Sequence, residues 1–147
     1  MFEYPDNSIP TTPSNFLALP PGQSDIDTAS IVIVPVPYDS TTSFRTGSRE
    51  GPRAIIEASA ALEDYDLEMD LDVAELGIYT APVLEPHLGS PELNVERVKQ
   101  VVSRFLTPHK MVGVIGGEHS ITAGSVLAHK AVYPDLSVLY LDAHCDL

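Results

Sequence analysis

The chain holds a single cysteine, Cys145, in its 147 residues. One thiol cannot form an internal disulfide, and such a chain suits a reducing compartment. Basic residues are also scarce: Lys and Arg number 8 against 21 Asp and Glu, for a formal net charge of −13. A nucleic-acid binder needs a basic footprint, so that class is excluded. An acidic surface of this size serves solubility first and would steer a small cation second. No apolar run reaches the length of a membrane span. The N-terminus, MFEYPDNSIPTTPSNFLALPPG, lacks both the basic start and the apolar core of a secretion signal. The expectation is a cytoplasmic protein that meets neither membrane nor nucleic acid.

What is present is the composition of one folded domain. Hydrophobic residues make up 44% and charged residues 20%, enough for a core and unlike a disordered chain. Residues 1–30 are rich in Pro, Ser, Thr and Asn and read as an irregular arm, pinned by Phe16, Leu17 and Leu19. The remainder, 31–147, reads as part of a single α/β domain. Ile31 to Val36 (IVIVPV) has the β-branched pattern of a strand buried on both faces, ended early by Pro35 and Pro37. After a polar loop, Pro52 opens a helix expected to run to about Leu67, with Ala54, Ile55, Ala58, Ala61 and Leu62 as its buried stripe. Tyr65 to Asp72 (YDLEMDLD) reads as its solvated acidic end. Glu75 to Leu84 is a weaker strand. Ser90 caps a helix from Pro91 to about Leu106, with Leu93, Val98, Val101, Val102 and Phe105 at helical spacing and Val95 off the stripe. Met111 to Ile115 (MVGVI) is a buried strand, Gly116 and Gly117 turn the chain, and Ser120 caps a helix to about Tyr133. Leu136 to Leu141 (LSVLYL) is the last strand. Strands alternating with helices imply a three-layer α/β/α fold around a mostly parallel sheet.

Open parallel sheets build their sites at the carboxyl ends of strands. Two such ends carry ligand-type side chains. VIGGEHS places His119 just past MVGVI, and LYLDAHCDL places Asp142, His144 and Asp146 at and past LSVLYL. Alternate residues of an extended chain face one way, so Asp142, His144 and Asp146 can converge while Ala143 and Cys145 turn aside. Carboxylates can bridge two divalent ions and offset their repulsion, and the ions together acidify a shared water that then attacks an electron-poor carbon. Mixed imidazole and carboxylate donors suit Mn, Fe or Zn, and the oxygen-rich balance favours manganese. Asp-x-His-x-Asp alone is equally compatible with surface polar residues after a strand. GGEHS at a second strand end makes the combination more specific.

GGEHSIT followed by LYLDAHCDL resembles the ureohydrolase family, the agmatinases and arginases. VPVPYDSTTSFRTGSREGPRAIIEAS is similar to that family's first strand, loop and helix. The resemblance covers about residues 30–147, and Glu118 with Ile121 and Thr122 looks more like agmatinase than arginase. It implies an arginase/deacetylase-like fold holding two Mn2+ ions. His119 and Asp146 would ligate one ion and His144 the other, with Asp142 bridging both. The implied substrate is a small cationic guanidino compound such as agmatine, giving putrescine and urea, and the implied assembly is a homo-oligomer at full length. The family's second aspartate-ligand motif, S-x-D-x-D-x-x-D-P, its proton-shuttling histidine and its substrate-gripping residues are not in this sequence. The domain therefore reads as truncated, with four of six metal ligands and no catalytic residue beyond them.

Two other readings remain. The chain could be a non-catalytic fragment or half-subunit that acts only by associating with another chain. A deacetylase-like amide hydrolase on a similar fold would want a single metal, which GGEHS with a full Asp-x-His-x-Asp argues against. Glu118 could orient His119 or merely stabilise its turn. Arg45, Arg49 and Glu50 read as structural loop residues, and His87, His109 and His129 as solvated or packing histidines. Cys145 reads as a small buried hydrophobe.

Overall fold

The computed structural model describes residues 11–144. Residues 1–10 of the expected arm lie outside the described residues, as do Cys145, Asp146 and Leu147.

The sheet is built around β1 (Ile31–Val36). α1 (Gly51–Ser59) follows, then a small antiparallel hairpin of β2 (Tyr65–Asp66) and β3 (Leu71–Asp72). β4 (Ile78–Thr80), α2 (Pro91–Phe105), β5 (Met111–Gly116) and α3 (Ile121–Val132) complete the described elements. The main sheet has the order β4-β1-β5, and both pairings are parallel. β1 registers Ile31 with Ile78 on one side and with Met111 on the other. The chain thus crosses from β1 to β4 in one direction and from β4 to β5 in the other. Right-handed crossovers then put α1 and α2 on opposite faces.

Alternation along β1 separates the two faces. Val32, Val34 and Val36 are fully buried against Val98 and Val102 of α2 and Ile121 and Ala128 of α3. Ile31 and Ile33 turn to a smaller cluster of Leu19, Ala74 and Ile78, which Phe16 and Leu17 help cover. The arm is anchored there by backbone donors as well: Phe16 N–H to Thr80 Oγ1 at 2.9 Å and Leu17 N–H to Ser59 Oγ at 2.8 Å. Pro35 sits inside β1 without breaking it. The carbonyls of Ile33 and Pro35 accept from Ala81 and Leu84, on the side of β4. The N–H that proline lacks would face that side too, beyond the last residue that β4 pairs.

α2 meets the expected boundaries. The Ser90 hydroxyl caps it by accepting from Leu93 N–H at 3.2 Å. His87 extends the cap: its Nδ1 accepts from Ser90 N–H, and its own N–H donates to buried Asn94. α2 and α3 approach closely at Gly124, where a Cβ would lie 2.5 Å from the Val95 carbonyl oxygen.

Three expectations are corrected. α1 stops at Ser59, and the apolar stripe expected to be buried faces outward, with Ile55 46% exposed; the buried residues of α1 are Pro52 and Ser59. Helical spacing marks an apolar face but does not supply an element to cover it. The acidic run is a hairpin and not a helix end. Asp66 Oδ1 accepts from the N–H groups of Glu68 and Met69, and Asp70 takes a left-handed φ of 53°. Aspartate side chains compete for backbone donors in this way and tolerate that region. Finally, residues 136–141 form no strand and pair with no other described strand. Leu139 and Leu141 are 85% and 86% exposed. A strand apolar on both faces is favoured only when layers cover it, and no described element lies over this one.

Candidate functional site

β5 delivers the first candidate ligand. Its last residue, Gly116, is followed by Gly117, where a Cβ would lie 2.2 Å from the Tyr38 carbonyl oxygen. Only glycine allows the loop after β5 to pass that close to the loop after β1. Glu118 N–H then donates to the same Tyr38 carbonyl at 2.9 Å. His119 follows, exposed, and its Nδ1 lies 3.2 Å from Thr122 Oγ1 in the first turn of α3. Ser120 holds the N-cap position but does not cap the helix as expected. Its hydroxyl donates instead to Glu118 Oε1.

Glu118 fastens this corner. Oε2 accepts from Thr41 N–H at 2.8 Å, and Oε1 accepts from both the Thr41 and Ser120 hydroxyls. Partial burial opposes its ionisation, but these bonds outweigh that effect and hold the carboxyl below the usual glutamate range. Across the loop, Asp39 is 2% exposed and organises residues 39–49. Its carboxylate accepts from Gly47 N–H at 2.6 Å and from Arg49 N–H and Nε–H. The Gly47 bond, followed by those from Arg49, depresses the Asp39 pKa despite burial. Arg49 therefore has the structural loop role expected of it. Asp39 and Thr41 escaped the sequence reading, although Asp39 stands at the carboxyl end of a buried strand, the same signal that picked out His119.

The second group of candidates lies alongside. The Tyr140 ring sits against the His119 ring, with centroids 5.4 Å apart and planes tilted by 35°. This contact brings the segment that carries Asp142 and His144 up to the GGEHS corner. Asp142 and His144 meet each other: Asp142 Oδ1 accepts from His144 N–H at 2.7 Å and lies 3.0 Å from His144 Nδ1. The His144 N–H bond leads in lowering the Asp142 pKa. Asp146 lies outside the described residues. Among the described residues, no three His, Cys, Asp or Glu side chains are grouped so as to hold a metal ion. The donor types suit two divalent ions; among the described residues, His119, Asp142 and His144 are not drawn into one group in this arrangement. A cavity of about 840 Å3 between α1 and the carboxyl ends of β1 and β4 is lined by residues such as Pro37, Arg49, Pro52, Ile56 and Tyr79. It includes none of the candidate ligands, and its Arg49 and Arg53 are already paired with Asp39 and Glu57.

The pattern of the arginase family matches residues 29–147. The chain belongs to the arginase family. Arginase-family proteins are binuclear metal hydrolases. Among curated relatives, the N(1)-aminopropylagmatine ureohydrolase of Thermus thermophilus is 40% identical over 119 residues, which cover 81% of this chain and 41% of the relative. An agmatinase of Halalkalibacterium halodurans is 35% identical over 125 residues, covering 85% of this chain and 43% of its own length. Among solved structures, the agmatine ureohydrolase of Thermoplasma volcanium superposes with a TM-score of 0.67 at 29% identity, covering 78% of this chain and 38% of that one. The proclavaminate amidino hydrolase of Streptomyces clavuligerus gives 0.77 at 26% identity, covering 90% and 44%. The 147 residues thus span about two-fifths of the length of the relatives they match. No helix among the described residues is long and apolar enough to cross a membrane.

Proposed function

We propose that this chain supplies the first part of the catalytic centre of a metal-dependent guanidino hydrolase, with His119, Asp142, His144 and Asp146 as ligands to two manganese ions. The substrate class is agmatine or a close derivative, consistent with relatives named for agmatine and for N(1)-aminopropylagmatine. Hydrolysis at the guanidinium carbon gives urea and the matching amine, putrescine in the case of agmatine. The observation that carries this reading is the His119–Tyr140 contact, which joins two ligand-bearing segments in a chain of this family. A cytoplasmic setting and a homo-oligomer at full length belong to the same proposal.

In that reading the 147 residues alone do not turn over substrate. They hold one of the two aspartate-ligand motifs, which leaves too little negative charge to keep two divalent ions at close range. The test is a urea assay with manganese and agmatine on two proteins: this chain, and this chain extended through a second aspartate motif. The expected result is urea from the extended protein only. If the extended protein binds manganese but releases no urea from agmatine, its aminopropyl derivative or arginine, the hydrolase reading fails.

A second reading has its own support. The outer edge of β5 pairs with no described strand, and the apolar residues of 136–141 are exposed. Open edges and uncovered apolar segments invite pairing with another chain. That fits a half-subunit whose role is association.

A further inference from the structure

We propose that Glu118 is a positioning residue: it bridges over His119 to Ser120 and reaches back to Thr41, so that the loop after β1 and the loop after β5 hold the imidazole as one unit. The importance given to His119 rests on the hydrolase reading, but the mechanical coupling does not.

The geometry is specific. His119 lies between Glu118 and Ser120, and those two are tied directly, hydroxyl to carboxylate. This closes a small ring of bonds around the His119 backbone. Glu118 is fixed at three further points: its N–H on the Tyr38 carbonyl, and its carboxylate on both the amide and the hydroxyl of Thr41. Thr41 belongs to a loop that is itself anchored, because buried Asp39 holds Gly47 and Arg49. Gly117 permits the contact by letting the two backbones meet. His119 Nδ1 then has a defined neighbour in Thr122 Oγ1. A ligand works only if its ring is aimed before the ion arrives, and neighbouring hydrogen bonds commonly do the aiming. Glu118 acts on that ring through the backbone it braces on either side of His119.

A turn-stabilising role alone would need only the Ser120 bond. The two hydrogen bonds to Thr41 couple the Glu118 side chain to the loop after β1, so Thr41 separates the two possibilities. Thr41→Val keeps the side-chain shape and the amide donor but removes the hydroxyl. Thr41→Ser restores the hydroxyl. Glu118→Gln keeps the length but replaces one acceptor oxygen with a donor. The readouts are the His119 ring nitrogen and carbon shifts by NMR, amide hydrogen exchange of residues 117–122, and thermal melting. The exchange measurement tolerates self-association of the chain.

The expected result is that Thr41→Val and Glu118→Gln shift the His119 ring signals and speed exchange across 117–122 by about tenfold, as loss of one charge-assisted bond implies. Thr41→Ser should return both to the starting values. Unchanged ring signals in Thr41→Val and Glu118→Gln overturn the proposal. So do changes that follow the melting temperature alone, with Thr41→Ser no better than Thr41→Val. Neither metal nor urea enters the measurement, so a failed hydrolase assay would leave this result standing, and the reverse.

Discussion

Thr41 and Glu118 lie 77 positions apart in sequence and meet twice, amide to Oε2 at 2.8 Å and hydroxyl to Oε1. Both stand just past the carboxyl ends of neighbouring parallel strands, β1 and β5. That is where an α/β sheet leaves room for a site. The pair converts strand adjacency into loop adjacency, and the candidate ligand His119 comes next in the chain.

Asp39 makes stability depend on acidity. Its folded pKa is depressed, led by the bond from Gly47, so the folded chain binds fewer protons than the unfolded chain between the two values. Its contribution is complete above the unfolded value of about 3.9 and is lost as pH falls through the lower folded value. Urea midpoints measured from about pH 7 down to about pH 3 should fall in the starting chain. They should fall less steeply in Asp39→Asn, which is already weaker at neutral pH. Equal slopes would remove Asp39 from the account.

Gly124→Ala should destabilise the fold. Alanine gains up to about 1 kcal/mol in helix propensity over glycine. The new methyl, however, meets the Val95 carbonyl oxygen at 2.5 Å and Val98 Cβ at 2.7 Å. Neither obstacle can rotate aside, and overpacking of that kind costs about 1–3 kcal/mol. The denaturant midpoint should drop with little change in slope. Gly22→Ala, where nothing lies within 4 Å of the added Cβ, is the control and should leave the midpoint in place.

Leu139 and Leu141 should govern self-association and not stability. Both are almost fully exposed. Replacing both with lysine should leave the melting temperature within the small range typical of surface changes. Sedimentation should then show less oligomer or aggregate than the starting chain. A large drop in melting temperature would mean that the segment is packed in solution.

Metal binding should separate the assigned ligands. In a chain extended through the second aspartate motif, Asp142→Ala should empty both manganese positions, because that carboxylate is assigned the bridge. His144→Ala should weaken mainly one. Manganese content after dialysis reads the difference, and equal losses would contradict the assignment.

The parallel α/β order was legible because β1, β5 and α2 each carry a local pattern that their surroundings agree with. Ser90 announced its helix, and Gly116 with Gly117 announced the turn that sets His119. What misled were apolar patterns with no partner among the described elements. The stripe of α1 and the apolar residues 136–141 read as buried, yet no described neighbour covers them. In the acidic run, the bonding of Asp66 to its own backbone overrode a weak helical tendency. The pairing of Thr41 with Glu118 has no short-range signature, since it joins positions 77 apart in sequence.

The order β4-β1-β5 also has a temporal meaning. The central strand is made first, and the two later strands of its sheet each add to one of its flanks. During synthesis β1 must wait, unpaired, through a helix and a hairpin before β4 emerges, and through a second helix before β5 closes its other side. Parallel pairings of this kind join distant positions and form slowly. For that interval the nascent chain presents IVIVPV, its most apolar stretch, with both edges bare. The acid-rich hairpin that emerges before β4 adds negative charge to the nascent chain during that interval, which opposes its sticking to another ribosome's product.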